Sequence, residues 1–512
     1  MLPMHEVLEI SAQKYPNKTA VICEKEKISY KKLNKDSSIL SDFLVSQGIK
    51  EGDRIGIFTT KCIEEIIAIF AILKAGGIFV HINPQYKKMQ LSHIISDCNI
   101  KVLFTSKNKE RLIDGIHREN NIISLIISLS PTINLSNNIC IKTFYLKNIL
   151  CESSKKAISY KTANTDKPAA IIYTSGSTGP PKGIIVTNKI FYDSTSASVK
   201  VLENNINDRL ISITPFSFDG ALSQLFSSIY VRGTLVLQKS LFPKDIVKTL
   251  MEKEITGFHA VPSLFGILLQ KHSPLAKYEY HHLRYISTIG EIFPQKYLLR
   301  LKKILGNTKI YNMYGTTEAF RSTYLPPEDL EKKPLSIGKP FPDVSISIVD
   351  NKNDICQTDE IGEIVHKGAF ISPGYWNNDK ETKKRFCNNS LYTGDLGKID
   401  KDGYLYFTGR KDSMIKTSGY RVSPEEIENC IYQLKGIKEV AVIGDSNTLN
   451  KENFSNTIKA VIVCEASAEI NSQNIIKHCR KHLPHYMVPM LIELRSSLPK
   501  TSTNKINKAK LY

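Results

Sequence analysis

Residues 173–183 have the sequence Tyr173-Thr-Ser-Gly-Ser-Thr-Gly-Pro-Pro-Lys-Gly183 and follow the apolar run Ala169–Ile172. An apolar run bounded by turn residues predicts a buried strand, so this segment should lie where a strand ends. Its glycines let backbone N–H groups approach an anion, its hydroxyls add donors, and its lysine adds positive charge. The spacing differs from a Walker A loop because Lys182 follows a proline. We predict a phosphate-binding loop with the contact residues Thr174, Ser175, Gly176, Ser177, Thr178, Gly179 and Lys182.

On both sides of this loop, short apolar strands alternate with helical patterns through the first 400 residues. The clearest predicted strands are Arg54–Phe58, Ile78–His81, Val102–Thr105, Leu235–Leu237 and Ile310–Asn312. This alternation predicts an α/β fold in which a large N-terminal domain consists of β-sheets packed with helices. Residues 128–166 are rich in Ser, Asn, Thr and Lys, and we expect an irregular surface connection there.

The pattern restarts after Gly409-Arg-Lys-Asp412. Ser423 can cap a helix that opens at Pro424, where acidic side chains follow in the first turn. Further predicted elements are the strands Val440–Ile443 and Ile458–Val463 and a helix near Ile475–His482. We therefore expect two domains, residues 1–409 and 410–512, the second being a small mobile α+β lid.

Composition limits the class of protein. The net charge is +19, but the basic residues are dispersed along the chain. A nucleic-acid site clusters basic residues with stacking aromatics, so we expect no nucleic-acid binding. The ten cysteines include no C-x-x-C pair, so we expect reduced thiols in a cytoplasmic protein. Residues 55–82 are apolar but interrupted by charges, which argues against a membrane span. The N-terminus has no cationic start before an apolar run, unlike a signal peptide.

More motifs follow the loop. They are Asn312-Met-Tyr-Gly-Thr-Thr-Glu318, Gly362-Glu-Ile-Val365, Gly374-Tyr-Trp376, Tyr392-Thr-Gly-Asp395, Gly409-Arg-Lys-Asp412, Lys416-Thr-Ser-Gly-Tyr-Arg421 and Pro499-Lys-Thr-Ser-Thr-Asn-Lys505. In this order they resemble the motifs of the adenylate-forming superfamily, which includes acyl-CoA synthetases, luciferases and the adenylation domains of nonribosomal peptide synthetases. The resemblance covers essentially the whole chain.

The resemblance implies a site for ATP and Mg²⁺. Tyr314 is expected to stack on adenine beside Gly315, and Asp395 to accept both ribose hydroxyls with help from Arg410. Thr317 and Glu318 are expected to hold a phosphate oxygen and Mg²⁺, since a hard cation prefers carboxylate oxygen.

Lys505 is the residue expected to carry the chemistry. The substrate carboxylate must attack the α-phosphorus while both groups are anionic, and a lysine between them offsets that repulsion. The resemblance also implies a second step, in which the lid rotates and a thiol of CoA or of a carrier protein's phosphopantetheine attacks the AMP ester. Lys416 would then face the active site. Since no carrier motif follows residue 512, we expect any carrier protein to act in trans.

The class of the substrate acid is indicated by the segment Thr214-Pro-Phe-Ser-Phe-Asp-Gly-Ala221. This segment resembles the motif whose aspartate binds the α-ammonium of an amino acid. Asp219 takes that place, and an unpaired buried carboxylate is costly without a cation. Alignment of the motifs adds the substrate positions Gly220, Ser223, Ser287, Met313 and Arg321, which suggests a small amino acid.

Two alternatives stay open. The segments at 318–327 and 374–377 resemble stand-alone acyl ligases, which favours an acyl-CoA ligase for a small non-amino acid. An inactive nucleotide-binding relative belongs to a different class, and it is disfavoured because Lys182, Glu318, Asp395 and Lys505 are all present.

Overall fold

The structure is a computed structural model that describes only part of the chain. It describes residues 2–120, 122–131, 141–151, 165–174, 181–290, 293–411, 413, 415–417, 420–445, 457–465, 470–483, 487–501 and 505–511. Its α-helices are Met4–Lys14, Tyr30–Ser46, Ile63–Lys74, Lys88–Asp97, Glu110–Asn120, Leu146–Cys151, Asn188–Val201, Asp219–Tyr230, Pro243–Glu252, Pro262–Leu268, Gln295–Leu305, Asp379–Arg385, Pro424–Tyr432 and Ser472–His482. Within this described part, no helix is both long and apolar enough to cross a bilayer.

Sheet A is the largest sheet and comprises nine strands among the described residues. In spatial order they are Lys339–Pro340, Thr323–Leu325, Lys309–Tyr314, Tyr285–Thr288, Gly257–Ala260, Arg209–Ser212, Thr234–Leu237, Thr19–Cys23 and Glu26–Ser29. The strands from Lys309–Tyr314 to Thr19–Cys23 run parallel, and antiparallel strands cover both edges. The central strands are fully buried, as expected for a parallel sheet with helices on its faces.

Sheet B has seven strands in the described ranges. Across the sheet they are Lys142–Tyr145, Leu125–Ser128, Val102–Thr105, Arg54–Phe58, Ile78–His81, Pro168–Thr174 and Lys182–Thr187. All are parallel except the last, which pairs antiparallel with Pro168–Thr174. The antiparallel pair places Thr174 directly opposite Lys182, at the two ends of the predicted phosphate loop.

One cluster of buried apolar residues contains side chains of both sheets and of the helices packed on them. Phe226 of helix Asp219–Tyr230 lies at its middle, with the ring of Phe191 at 4.7 Å and that of Phe70 at 6.2 Å. Such edge-on and tilted aromatic packing adds to the free energy gained by burial. Sheets A and B are therefore held in a fixed relation, which fixes the space between their strand ends.

Three smaller sheets follow in the described part of the chain. The first is antiparallel and contains Val344–Val349, Gly362–Gly368, Phe386–Cys387, Ser390–Ile399 and Leu405–Arg410. The second is the hairpin of Ile415–Thr417 with Tyr420–Val422. The third combines Ile437–Asp445, Thr457–Cys464 and Leu491–Leu494, with the helices Pro424–Tyr432 and Ser472–His482 packed into the same core.

The predicted strands and the helices at 424 and 475 are confirmed, within a few residues at their ends. The prediction of an irregular connection over 128–166 is wrong for part of that stretch. It contains the strand Lys142–Tyr145 and the helix Leu146–Cys151, while residues 132–140 and 152–164 lie outside the described part. The half-exposed strand Lys142–Tyr145 pairs with the strand Leu125–Ser128, and no local apolar pattern predicts this pairing.

Candidate active site

The carboxyl ends of the parallel strands in sheets A and B face a common cleft of about 1720 Å³. Residues that directly follow strands of sheet A line it, including Ile213, Val261, Ile289 and Gly315, and Thr59 follows a strand of sheet B. In open α/β sheets this edge is where ligands bind, because loops can vary there without disturbing the strands. The cleft is therefore the candidate site.

Lys182 lies in the wall of the cleft at the end of the predicted phosphate loop. Its Nζ is 2.9 Å from Oε2 of Glu381, on the helix Asp379–Arg385, and 5.7 Å from the ring centroid of Tyr375. The hydrogen bond from Lys182 lowers the pKa of Glu381. Thr174 also lines the cleft, whereas the predicted contacts Ser175, Gly176, Ser177, Thr178 and Gly179 lie outside the described residues.

Asp395 is buried in the cleft wall with two polar neighbours. It lies directly across the antiparallel ladder from Arg410, whose Nε is 3.1 Å from Oδ1 of Asp395. The phenol of Tyr314 donates to the other carboxylate oxygen at 2.8 Å. Burial raises the pKa of Asp395, while Arg410 and Tyr314 act to lower it. The structure thus brings together three residues predicted for the nucleoside, and the Tyr314 hydroxyl is engaged by Asp395.

Glu318 provides a carboxylate in the same wall, beside Thr317 and Gly315. Its Oε1 accepts a hydrogen bond from the Tyr375 hydroxyl at 2.7 Å, which fixes its orientation. A carboxylate held in this way in the cleft has the donor chemistry that Mg²⁺ prefers. These residues fit the predicted magnesium ligand.

Lys505 enters the cleft from the C-terminal tail. Its Nζ donates to the carbonyl oxygen of Gly290 at 2.7 Å, just beyond the strand Tyr285–Thr288. Gly290 has φ +93°, a left-handed conformation that favours glycine. Lys505 is also close enough to Asp219 for its charge to influence that carboxylate's pKa. The tail thus delivers a cation to the part of the cleft that holds Asp219.

Asp219 is the first residue of the helix Asp219–Tyr230 and lines this part of the cleft with Gly220 and Met313. Burial raises its pKa, and the charge of Arg321 acts in the opposite direction. Within the described residues no ion pair joins Asp219 to a cation. The half-buried carboxylate is therefore partly desolvated, and it lines a cleft that has room for a positively charged partner.

The imidazole of His259 leaves no room for a side chain at Gly220. A Cβ at Gly220 would lie 2.8 Å from Nε2 of that imidazole, closer than atoms can pack. The His259 Nδ1 is 3.0 Å from the Ser287 hydroxyl, which holds the ring in place. Burial lowers the pKa of His259 to about 3, so the ring is neutral near pH 7. His259 therefore forms an uncharged floor beside Asp219.

The remaining predicted substrate positions do not line the cleft, although all are described residues. Ser287 is buried behind His259, and Arg321 is buried with its Nη1 donating to the Phe320 carbonyl at 3.0 Å. Ser223 is half-buried on the helix that Asp219 begins. The structure therefore separates Asp219, Gly220 and Met313, which face the cleft, from a layer behind them.

Comparison with known proteins decides the family. Residues 8–376 match the profile of the AMP-binding enzymes, and residues 426–505 match the profile of the AMP-binding enzyme C-terminal domain. The chain belongs to the AMP-binding enzyme family. It is an AMP-forming ligase that acts on a carboxylic acid and a thiol.

Similar curated proteins include a CoA ligase and a peptide antibiotic synthase. The chain is 26% identical over 538 residues to a long-chain-fatty-acid–CoA ligase of Bacillus subtilis, covering 99% of this chain and 94% of that protein. It is 27% identical over 518 residues to gramicidin S synthase 2 of Brevibacillus brevis, covering 99% of this chain. It spans only 11% of that synthase.

Solved structures show the same fold along the whole ligase. An ATP-bound MatB from Rhodopseudomonas palustris superposes with a TM-score of 0.88 at 25% identity, over 100% of this chain and 98% of that one. The anthranilate CoA ligase AuaEII in complex with anthranoyl-AMP gives a TM-score of 0.90 at 24% identity, over 99% of this chain and 96% of that one. The α/β fold class predicted from sequence is confirmed.

Two residues of the ligase site escaped the sequence analysis. Glu381 pairs with Lys182 from 199 positions away, and His259 lies in the buried strand Gly257–Ala260. Neither carries a local signal, because acidic residues in a helix start and histidines in a buried strand are common features of ordinary domains. Lys416, predicted for the second step, lies on the strand Ile415–Thr417, and its side chain is outside the described part.

Proposed function

We propose that this ligase activates a small amino acid as its acyl-AMP with release of pyrophosphate. It then transfers the acyl group to the thiol of CoA or of phosphopantetheine on a separate carrier protein. Asp219 is the observation that supports the substrate class, because it is a half-buried carboxylate in the cleft that Lys505 also lines. An α-ammonium group would supply the cation that this carboxylate has room for.

The positions of the other groups support the adenylation step. The substrate carboxylate oxygen attacks the α-phosphorus, the bond to the bridging oxygen breaks, and pyrophosphate leaves. From its place at Gly290, the Lys505 ammonium would lie between the substrate carboxylate and the α-phosphate. Lys182 would bind phosphate oxygens once it leaves Glu381, and Asp395 would hold the ribose. Mg²⁺ held by Glu318 would neutralise phosphate charge.

Pyrophosphate exchange with paired acids tests the substrate class. Each small amino acid is compared with the analogue that lacks the amine, for example alanine with propionate. We expect the wild type to favour the amine by at least about 30-fold, the scale for a buried charged hydrogen bond of about 2 kcal/mol. Asp219→Ala should remove the preference without abolishing exchange with the analogue.

The matched control is Asp193→Asn, which changes an acid that pairs with Lys189 on a neighbouring helix. It should exchange like the wild type. If no amino acid is a substrate while propionate or an aryl acid exchanges rapidly, the role proposed for Asp219 is refuted.

Arg321 favours a second candidate, a small acid without an amine. It is buried close enough to lower the pKa of Asp219, so it can act as that carboxylate's counter-charge. In this case the two residues form a neutral wall, and the analogue lacking the amine should be the better substrate. Arg321→Gln would then shift preference toward the amino acid by leaving Asp219 uncompensated, which the first proposal does not predict.

Lys416 provides a test of the two-step proposal. For Lys416→Ala we expect pyrophosphate exchange to stay within about threefold of the wild type while thioester formation falls at least about tenfold, a loss of 1.4 kcal/mol. The measurement follows thioester formation with CoA and with a phosphopantetheinylated carrier protein in parallel. Equal loss in both steps would contradict separate roles for the two faces of the C-terminal region.

A further inference from the structure

The tail that carries Lys505 is fastened on both sides of that residue by ion pairs. Lys500 Nζ lies 3.0 Å from Oε1 of Glu439, on the strand Ile437–Asp445. Lys508 Nζ lies 2.7 Å from Oε1 of Glu428, on the helix Pro424–Tyr432. Surface ion pairs contribute little, but these lysine side chains are only about 30% exposed and the partner acids less.

Between the two ion pairs, the chain folds back on itself. The Asn507 N–H donates to the Pro499 carbonyl at 2.8 Å, and the Thr501 N–H donates to the Lys505 carbonyl at 2.7 Å. The Lys505 N–H in turn donates to the Thr501 hydroxyl at 3.1 Å. Residues 499–501 thus pair antiparallel with residues 505–507, which include Lys505. The ion pairs of Lys500 and Lys508 attach this pair of segments to the rest of the C-terminal region.

Glu428 has the least exposed side chain of the four residues in these two ion pairs. Besides Lys508, its Oε1 accepts a hydrogen bond from the Val442 N–H at 2.6 Å, so the carboxylate links the helix, the sheet and the tail. Glu425, one turn earlier on the same helix, lies 3.6 Å from Lys508. An ionised Glu428 therefore fixes the position of Lys508, three residues beyond Lys505.

We propose that Glu428 is a positioning residue for adenylation, which through its ion pair with Lys508 holds the tail so that the Lys505 ammonium reaches the Gly290 carbonyl and the reacting acid. This inference rests on the role of Lys505 in the proposed function. Glu428 touches no substrate and acts through the tail.

The ion pair gives the step a pH dependence. Burial raises the pKa of Glu428 to about 7, against the opposing effect of Lys508. Burial alone would lower the pKa of Lys508, but Glu428 and Glu425 raise it, so Lys508 stays protonated. On the same helix the charge of Glu425 also raises the pKa of Glu428, and the pKa of Tyr432 is raised by burial and by the charge of Glu428. Glu428 is ionised above about pH 7, and the pair weakens as it gains a proton below that pH.

The test compares pyrophosphate exchange by the full-length wild type and Glu428→Gln from about pH 8 to about pH 6. At the higher pH the variant should have a kcat about tenfold lower, with an unchanged KM for ATP, the scale of one charge-assisted hydrogen bond. The wild-type kcat should fall toward that of the variant as the pH decreases through 7, while the variant's profile stays flat there. Lys508→Arg, which keeps the charge, should retain most activity, whereas Lys508→Met should match Glu428→Gln.

Glu426→Gln, at an exposed acid on the same helix, is the control and should follow the wild-type profile. Thioester formation from supplied acyl-AMP should be equal in wild type and Glu428→Gln, since that step does not use Lys505. A Glu428→Gln enzyme with the wild-type kcat and pH profile, while Lys505→Ala is inactive, would overturn the positioning role alone. An active Lys505→Ala would instead overturn the proposed function of the lysine.

Discussion

Lys505→Ala should slow acid-dependent pyrophosphate exchange by at least about 100-fold, the scale for removing one transition-state electrostatic group. The expectation follows from the position of the Lys505 ammonium in the part of the cleft that also holds Asp219. Its Nζ lies 2.7 Å from the carbonyl oxygen of Gly290. A cation there offsets repulsion between the substrate carboxylate and the α-phosphate as they approach. Because the effect arises in the transition state, kcat should fall more than the affinity for ATP.

Lys510→Ala is the matched control, because it removes an exposed lysine from the same tail. It should exchange at the wild-type rate. Lys505→Arg separates charge from shape, since a guanidinium keeps the charge but is a planar fork rather than a compact point. Full exchange activity in Lys505→Ala would refute the assignment of the catalytic lysine.

Asp395→Asn should raise the KM for ATP by about 30-fold, equivalent to about 2 kcal/mol, the loss expected when a buried charge pair loses one charged member. The substitution keeps the shape of the side chain but leaves Arg410 without its anion. An amide also has one uncharged acceptor oxygen where the carboxylate has two charged ones, so it would hold the two ribose hydroxyls less strongly. Steady-state exchange at varied ATP concentrations measures the effect.

Asp402→Asn serves as the comparison, since Asp402 lies in an exposed turn near the same sheet and pairs with Lys333. Its KM for ATP should be unchanged. A KM within about twofold of the wild type for Asp395→Asn, below 0.5 kcal/mol, would show that Asp395 does not hold the nucleotide.

The parts of the fold that were predictable are those with a local cause. The strand Arg54–Phe58 contains a short buried run that starts at Ile55, and the helix Pro424–Tyr432 begins with a serine cap and two acids. The strand Lys142–Tyr145 has two exposed and two half-buried residues, so nothing in its own pattern distinguishes it from a loop. Its structure depends on pairing with Leu125–Ser128.

The candidate site divides in the same way. The motif residues Tyr314, Asp395 and Lys505 were found from the sequence, and all three line one cleft although about 190 positions separate the first from the last. Their partners were not found. Glu381 contacts Lys182 only because the helix Asp379–Arg385 packs beside the strand end, and the His259 ring lies against Gly220 because the helix Asp219–Tyr230 packs on the strand Gly257–Ala260. Such contacts depend on tertiary packing that one sequence does not encode locally.

The close fit of Gly220 against the His259 ring has a consequence for engineering the acid preference of this enzyme. A side chain at Gly220 would have to displace an imidazole that Ser287 holds by a hydrogen bond, so this wall resists remodelling. Met313 lines the cleft with an unbranched, adaptable thioether, and shortening it would free volume without removing a polar contact. Libraries intended to admit bulkier acids should therefore vary Met313 and leave the Gly220–His259 wall unchanged.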